Sequence, residues 1–286
     1  MNERLKFFNL LNSKGKPGRV NMAEDLYLLD RYRFSDDFTV CPTLRIYYFN
    51  PPALSLGFFQ KKIDLRLALK AKQAGCDIVT RPTGGRAVLH KNEITYSIIA
   101  SFKNGIFAGN LLESYKKIRI FLYIFFMKTG LKPDANIVKT SNGKNENRKI
   151  SEVKSFNCFL KASSYEITIG GKKICGSAQR RNETAFLQHG SIYIDYNPAE
   201  HIEFFENGEQ KKEYFDKVTG IKQELQKNGL IMNFGYEHLS GLLKSSFSEV
   251  YNLMPRLFSF TQDEVDKIAV LAKELSENSK NNVTAN

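Results

Sequence analysis

Short stretches in which apolar residues alternate with polar ones fill the first two thirds of the chain, and stretches with apolar residues every three or four positions lie among and after them. Phe7 to Leu11 reads as a first strand, and Ser13 to Arg19 as a turn-rich loop. Asn21 is placed to cap a helix whose apolar positions Met22, Leu26, Leu29 and Tyr32 recur at helical spacing. Leu44 to Phe49 alternates with Arg45 and Tyr47 on one face, and Leu54 to Gly57 is a second short strand. Asp64 to Ala74 has the pattern of an amphipathic helix stopped by Gly75. Ile78-Val79 and Arg86 to Leu89 flank a double-glycine turn, and Ile94 to Ala100 follows as a strand.

Asn110 to Met127 reads as a helix with Leu111, Tyr115, Ile118, Leu122 and Phe125 as its buried stripe. Lys139 to Lys154 is polar and charged, the composition of a mobile surface loop. Tyr165 to Ile169, Gly170-Gly171 and Lys173 to Gln179 form a hairpin signal. A third strand, Gly190 to Ile194, is expected after a connection over Arg180 to Ala185. Helices are expected over Asp216 to Asn228, His238 to Tyr251 and Gln262 to Glu274, with a frayed end over Ser276 to Asn286.

Strands concentrated in the middle, with helices before, between and after them, predict an α+β fold of mixed sheets flanked by helices. No internal repeat or long linker splits the chain. The expected organisation is one main domain over residues 1–250 and a short helical C-terminal extension over 251–286.

Composition narrows the class. With 286 residues, 42% of them hydrophobic, the chain reads as globular, and its apolar runs are too short to span a bilayer. The N-terminal segment lacks the long apolar stretch of a secretory signal, so a cytoplasmic protein is expected. Cys41, Cys76, Cys158 and Cys175 show no metal-ligand pairing, and neither CxxC nor HExxH occurs, so no metal is expected. The formal charge of +12, from 42 Lys and Arg against 30 Asp and Glu, favours an anionic partner. No zinc-finger spacing, RNP-type pattern or basic heptad helix accompanies it, which argues against nucleic acid.

Candidate chemistry lies in two segments. Arg81-Pro82-Thr83-Gly84-Gly85-Arg86-Ala87-Val88-Leu89-His90 combines adjacent glycines, two arginines and a histidine between strands. Backbone amides in such a turn can approach an acyl or phosphate group closely; a plain hairpin turn is the competing reading. In the second segment Cys158 enters a strand from a loop, where it is either a small buried residue or an exposed thiol. Cys175 sits inside a strand and reads as core. Lys173 precedes the small run Gly176-Ser177-Ala178, so its amine could steady a thiolate or a developing oxyanion, although a lysine in a hairpin is usually solvated. His189 and Gly190 open the next strand.

Taken in order, several motifs resemble the lipoate–protein ligase and octanoyltransferase superfamily, with biotin protein ligases more distantly similar. They are Asn21 to Asp25, Leu44 to Tyr47, Leu54 to Gln60, the Arg81 to His90 turn with Glu93 to Ser97, Cys158-Phe159, Ser164 to Glu166, and Gly171 to Gln179 followed by Arg181 and Gln188 to Ser191. Two positions depart from the family pattern: Thr80 stands where an arginine is common, and Lys91 where an acid is common. The resemblance is strongest to the cysteine-dependent octanoyltransferases. It implies a biotin/lipoate ligase-like catalytic domain that moves octanoyl from octanoyl-acyl carrier protein to a lysine of the glycine cleavage H protein or of lipoyl domains of 2-oxoacid dehydrogenases. Cys158 corresponds to the nucleophile and Lys173 to the lysine that meets the acyl carbonyl. Arg81, Gly84, Gly85, Arg86, Ala87, Val88 and His90 would wall the acyl site, with Gly176, Ser177, Ala178, His189 and Gly190 facing them.

No cofactor is implied, because the thioester arrives activated, and neither membrane nor nucleic acid enters the reaction; a monomer is expected. The rivals are an ATP-dependent lipoate–protein ligase, which has no need of Cys158 as nucleophile, and an amidotransferase that moves octanoyl between lipoyl-accepting proteins. A DNA-binding regulator of the biotin-ligase type would need a further domain before Phe7. A noncatalytic acyl-carrier-binding protein would require Cys158 to be buried.

Overall fold

The structure, a computed structural model, describes residues 5–33, 41–60, 63–102, 105–134, 166–205, 216–230, 232, 234–280 and 283–284. In chain order the elements begin β1 (Phe7–Lys16), α1 (Gly18–Arg33), β2 (Thr43–Phe49), β3 (Ala53–Leu56), β4 (Ile63–Asp64), α2 (Leu65–Gln73), β5 (Asp77–Thr80), β6 (Val88–His90) and β7 (Glu93–Ser101). They continue with α3 (Leu111–Lys128), β8 (Ile167–Ile169), β9 (Lys172–Arg181), β10 (Ala185–Tyr193), α4 (Pro198–Phe205), α5 (Ile221–Lys227), α6 (Tyr236–Tyr251), β11 (Met254–Leu257), α7 (Gln262–Lys280) and β12 (Val283–Thr284).

A seven-stranded mixed sheet in the order β11-β1-β2-β7-β10-β9-β8 carries the architecture. Its β11, β1 and β2 run parallel to their neighbours within that group, and every pairing from β2 to β8 is antiparallel. A three-stranded sheet, β5-β3-β6, stands apart from it, and β12 pairs with β4. This is the expected α+β fold of mixed sheets with flanking helices.

The alternation along β7 is not inside against outside, because all nine of its residues are buried. One face carries Ile94, Tyr96, Ile98 and Ala100, which join Ile118, Phe121 and Phe125 of α3 and Leu243 and Phe247 of α6 in the largest core cluster. Glu93, Thr95 and Ser97 point the other way. In register with them lie Arg45 and Tyr47 of β2 and His189 and Ser191 of β10. Helix α1 covers this polar face, and its Asp25 reaches Arg45, Ser97 and His189. The site described below is built on it.

Several elements differ from the sequence reading. Strand β1 continues through Ser13 to Lys16, where a loop is expected, because a register shift between Asn12 and Lys14, with Lys14 at φ 53°, absorbs the irregularity. Helix α1 starts at Gly18, so Asn21 is not its cap. Asn21 is buried, its amide donating to the Lys16 and Tyr48 carbonyls. Leu28 takes the buried position expected of Leu26.

On α3 the capping box of Asn110 and Glu113 fixes the start, but Leu111 is exposed; Ser114, Ile118, Phe121, Leu122, Phe125 and Phe126 form the buried stripe. Strands β9 and β10 are longer than expected. Their connection shortens to Asn182–Thr184, where Asn182 Oδ1 accepts from the Thr184 and Ala185 amides.

The helix expected from Asp216 covers only Ile221–Lys227, because Val218 forms a parallel bridge with Lys173. Pattern reading gave no sign of α4 or β11. Helix α7 continues to Lys280 and packs on α1, and Val283 pairs with Ile63 where a frayed end is expected. The polar segment 139–154 lies outside the described residues.

Helix α4 places His201 against Tyr193 and Tyr196, with its ring nitrogens 3.0 Å from the Asn197 carbonyl and 3.1 Å from the Tyr193 hydroxyl. Burial pushes its pKa down to about 4, and the Asn197 carbonyl opposes the shift. The folded protein therefore binds this proton later than the unfolded chain does. Stability from this group is complete above the ordinary histidine pKa and is lost as pH falls from there toward 4. The expected loss is up to about 3 kcal/mol. Urea unfolding at pH 7 and pH 4.5 should show a smaller pH effect in His201→Gln than in the parent; equal slopes would contradict the assignment.

Candidate active site

A cavity opens where the β3–β6 sheet meets β9 and β10, with an empty volume of about 470 Å³ that includes its solvent-open part. Met22, Tyr47, Phe49 and Val88 give it an apolar wall. Gly176, Ala178 and Gly190 leave the opposite wall short of side chains, while Ser177, Ser191, Thr95, Ser55, Arg81, His90, His189 and Lys173 supply its polar groups. Gly190 must be glycine here: a Cβ would lie 2.5 Å from the Tyr96 ring and 2.7 Å from Ser177 Oγ.

Of the residues expected at the site, Arg81, Val88, His90, Lys173, Gly176, Ser177, Ala178, His189 and Gly190 line this cavity. Gly84, Gly85, Arg86 and Ala87 do not. They form the loop behind it, with Ala87 packed among Leu54, Leu56 and Leu89. Arg81 ties that loop down: its Nη2 donates to the Gly84 carbonyl at 2.8 Å and the Arg86 carbonyl at 2.7 Å, and its Nη1 to Ser55 O and Oγ, both at 3.1 Å. Gly85 adopts φ +97°, and Gly57 lies so close that a Cβ there would come within 1.8 Å of the Gly85 oxygen. The double glycine thus serves loop geometry. Cys158 lies outside the described residues.

Lys173 is buried, and its Nζ lies 2.5 Å from Glu166 Oε1. Its backbone is stapled on both sides, the amide donating to the Lys217 carbonyl and the carbonyl accepting from Thr219. The amine is thereby fixed at the cavity wall and neutralised by a carboxylate. Cys175, two positions on, is no nucleophile: burial pushes its thiol up to about 12, outweighing Ser177 and Lys173. Cys41 is buried as well, and burial raises the Cys76 thiol.

The supporting network was missed in the sequence. Arg45, fully buried, donates to Asp25 Oδ1 (2.8 Å), Glu24 Oε2 (2.5 Å) and Asn21 Oδ1 (2.7 Å). Burial acts most strongly on Asp25 and would raise its pKa, but Arg45, His189 and Ser97 together hold it below the usual carboxylate value. From Asp25 Oδ2 a chain runs to His189 Nδ1 (3.0 Å), and His189 Nε2 lies 2.6 Å from Thr83 Oγ1. Helix α1, the central sheet and the glycine loop are so joined through one imidazole. The available signal was an arginine inside a strand, Arg45, together with the adjacent acids Glu24-Asp25 in a helix.

Such a cavity suits an acyl group, since it offers apolar contact for a chain, short side chains beside a carbonyl and one fixed amine. It is the arrangement of an enzyme of the octanoyltransferase and lipoate ligase class. The family described as the lipoyl protein ligase A/B catalytic domain matches residues 17–235, and the chain belongs to that family. Among curated relatives, it is 31% identical over 282 residues to the octanoyltransferase LipM of Oceanobacillus iheyensis, covering 96% of this chain and 95% of that protein. The LipM of Clostridioides difficile is 32% identical over 278 residues, with 96% of each covered. Among solved structures, a lipoate-protein ligase A bound with ATP superposes with a TM-score of 0.69 at 18% identity, over 95% of this chain and 94% of that one, which is a likeness of fold. Among the described residues no group of three His, Cys, Asp or Glu could hold a metal ion, and no helix is long and apolar enough to cross a membrane.

Proposed function

We propose that the protein transfers an octanoyl group from octanoyl-acyl carrier protein to a lysine of a lipoyl-accepting protein, by way of a thioester on Cys158. The observation that carries this reading is the Lys173 amine, fixed at the wall of a cavity with an apolar end and a glycine-rich side. The octanoyl tail lies against Met22, Tyr47, Phe49 and Val88, where each methylene taken out of water contributes roughly 0.8 kcal/mol. Its carbonyl sits beside Lys173 and the Gly176–Ala178 backbone. The likeness to octanoyltransferases over nearly the whole chain supports the choice of acyl group.

The chemistry follows from these groups. The Cys158 thiolate attacks the carrier thioester, the amine stabilises the tetrahedral oxyanion, and the carrier thiolate leaves and takes its proton from solvent. The acceptor lysine then attacks the acyl-enzyme, the C–S bond to Cys158 breaks, and an amide forms as the Cys158 thiol is released. Neither step calls for ATP or a metal. The glycine cleavage H protein or the lipoyl domains of 2-oxoacid dehydrogenases are the acceptors, and the +12 charge favours docking of acidic carrier and acceptor domains in the cytoplasm.

Mixing the protein with octanoyl-acyl carrier protein, without ATP, should add one octanoyl mass that hydroxylamine removes. Cys158→Ser should lose that adduct at neutral pH. An adduct that persists in the Cys158 variant refutes the mechanism. Acylation of the acceptor only with free acid and ATP would make the protein a ligase.

A further inference from the structure

Behind the part of the wall formed by His90, Thr95 and Ser191 lies a carboxylate that acyl transfer, as described, leaves unused. Glu93 opens β7 and is buried. Its Oε2 accepts from Thr95 Oγ1 at 2.5 Å and from Ser191 Oγ at 2.8 Å. Its Oε1 is buried with no hydrogen-bond partner, and so is Nδ1 of His90. The two side chains face each other, with Nδ1 4.0 Å from Glu93 Oε2.

The far side of the His90 ring is held in place. Nε2 lies 2.9 Å from Ser55 Oγ, which also accepts from Arg81, and the ring stacks on Phe49 at 4.0 Å between centroids. Buried polar atoms are costly when unpaired and cluster where function requires them. Two of them at one gap beside an acyl cavity point to a donor that arrives with the second substrate.

We infer that His90 is the base that takes the proton of the acceptor lysine, and that Glu93 is a positioning residue that acts through it. This rests on the acyltransferase reading above. A lysine in water carries its proton up to a pKa of about 10.4, so at neutral pH it arrives as an ammonium with no lone pair to offer. With its own proton on Nε2 and donated to Ser55 Oγ, His90 presents the Nδ1 lone pair. The ammonium gives one proton to Nδ1, and the freed lone pair forms the C–N bond. The C–S bond to Cys158 then breaks, and the second amine proton goes to the departing thiolate. The balance is one amide, one thiol and one proton, which leaves His90 for solvent.

The groups around the ring fit this duty. Burial lowers the His90 pKa, and Arg81 and His189 act in the same direction, so the ring is neutral when the lysine enters. Glu93 acts the other way and steadies the imidazolium once it has formed.

The test uses full-length enzyme preloaded with octanoyl thioester and freed of donor, with discharge followed by mass. For Glu93→Gln at pH 7, transfer to the lysine of the glycine cleavage H protein should be about 100-fold slower than in the parent. Discharge to hydroxylamine, which is neutral at that pH and needs no base, should change by no more than about twofold. The lysine deficit should shrink as pH rises toward the amine's own pKa, and Glu93→Asp should recover most of the rate. His90→Asn, read in the same way, gives a second arm should Glu93→Gln fail to fold. Equal slowing of both nucleophiles, no slowing of either, or a deficit that ignores pH overturns the inference and leaves the acyltransferase reading standing. A parent enzyme that takes no acyl group overturns both.

Discussion

Lys173→Ala is expected to slow thioester formation by about 100- to 1000-fold, the usual cost of losing one fixed donor to a tetrahedral oxyanion. The Lys173 backbone is held on both sides, through the Lys217 carbonyl and the Thr219 amide, so its side chain leaves β9 at a fixed point. The substitution also takes from Glu166 the ammonium 2.5 Å away, which will depress stability as well as rate. The two effects separate in Lys173→Ala/Glu166→Gln. That double variant should regain most of the thermal midpoint and none of the rate, with the adduct followed by mass and unfolding by circular dichroism. A single variant that acylates at the parent rate would remove Lys173 from the chemistry.

The largest effect on stability is expected at Arg45. Arg45→Met keeps much of the side-chain volume but takes the guanidinium from two buried carboxylates, leaving Glu24 with Lys16 and Ser13 and Asp25 with His189, Ser97 and Tyr47; removing one partner of a buried pair typically costs about 3–5 kcal/mol. The effect has a definite pH signature. Asp25 has a folded pKa below its ordinary value of 3.8, so its contribution is present above that value and is lost as pH falls through the lower, folded one. In Arg45→Met the strongest of the influences that oppose burial is gone, and the carboxyl is expected to bind its proton at a higher pH than in the parent. The gap between parent and variant should therefore be widest near neutrality and narrow in acid. Urea midpoints across pH 4 to 7 would show it, and a gap that widens in acid would contradict the account.

What could be read in the sequence was local. Gly170-Gly171 between alternating runs is a turn in which both residues need positive φ, and they adopt φ 56° and 74°. Asp64 and Gly75 bracket a helix because each acts through its immediate neighbours. The same holds for the cavity, where Lys173, the small run after it and the histidines stand out by residue type alone.

The rest depended on partners far along the chain. His189 meets Asp25 across 164 positions, and nothing local to either residue signals the pairing. Arg45 and Ser97 look like the wet face of a strand, yet they are buried beneath α1, whose Asp25 binds both. Strand β11 is four residues, Met-Pro-Arg-Leu, too short for a period to show, and its place in the sheet comes from pairing with β1. The nucleophile position, Cys158, rests on the family likeness.

The two linings of β7 and β10 also bear on how such a protein can change over generations. Along the cavity-side stretch of β7 and β10, alternate positions face the largest core cluster and the polar layer beside the cavity. A point substitution at most positions alters one of them, whereas at Gly190 it would strike both, the Tyr96 ring on one side and Ser177 on the other. A one-residue insertion or deletion would exchange them wholesale, turning isoleucines into the cavity and hydroxyls into the core. Single exchanges along these strands can therefore reshape the cavity, whereas a change of strand length exchanges its two faces.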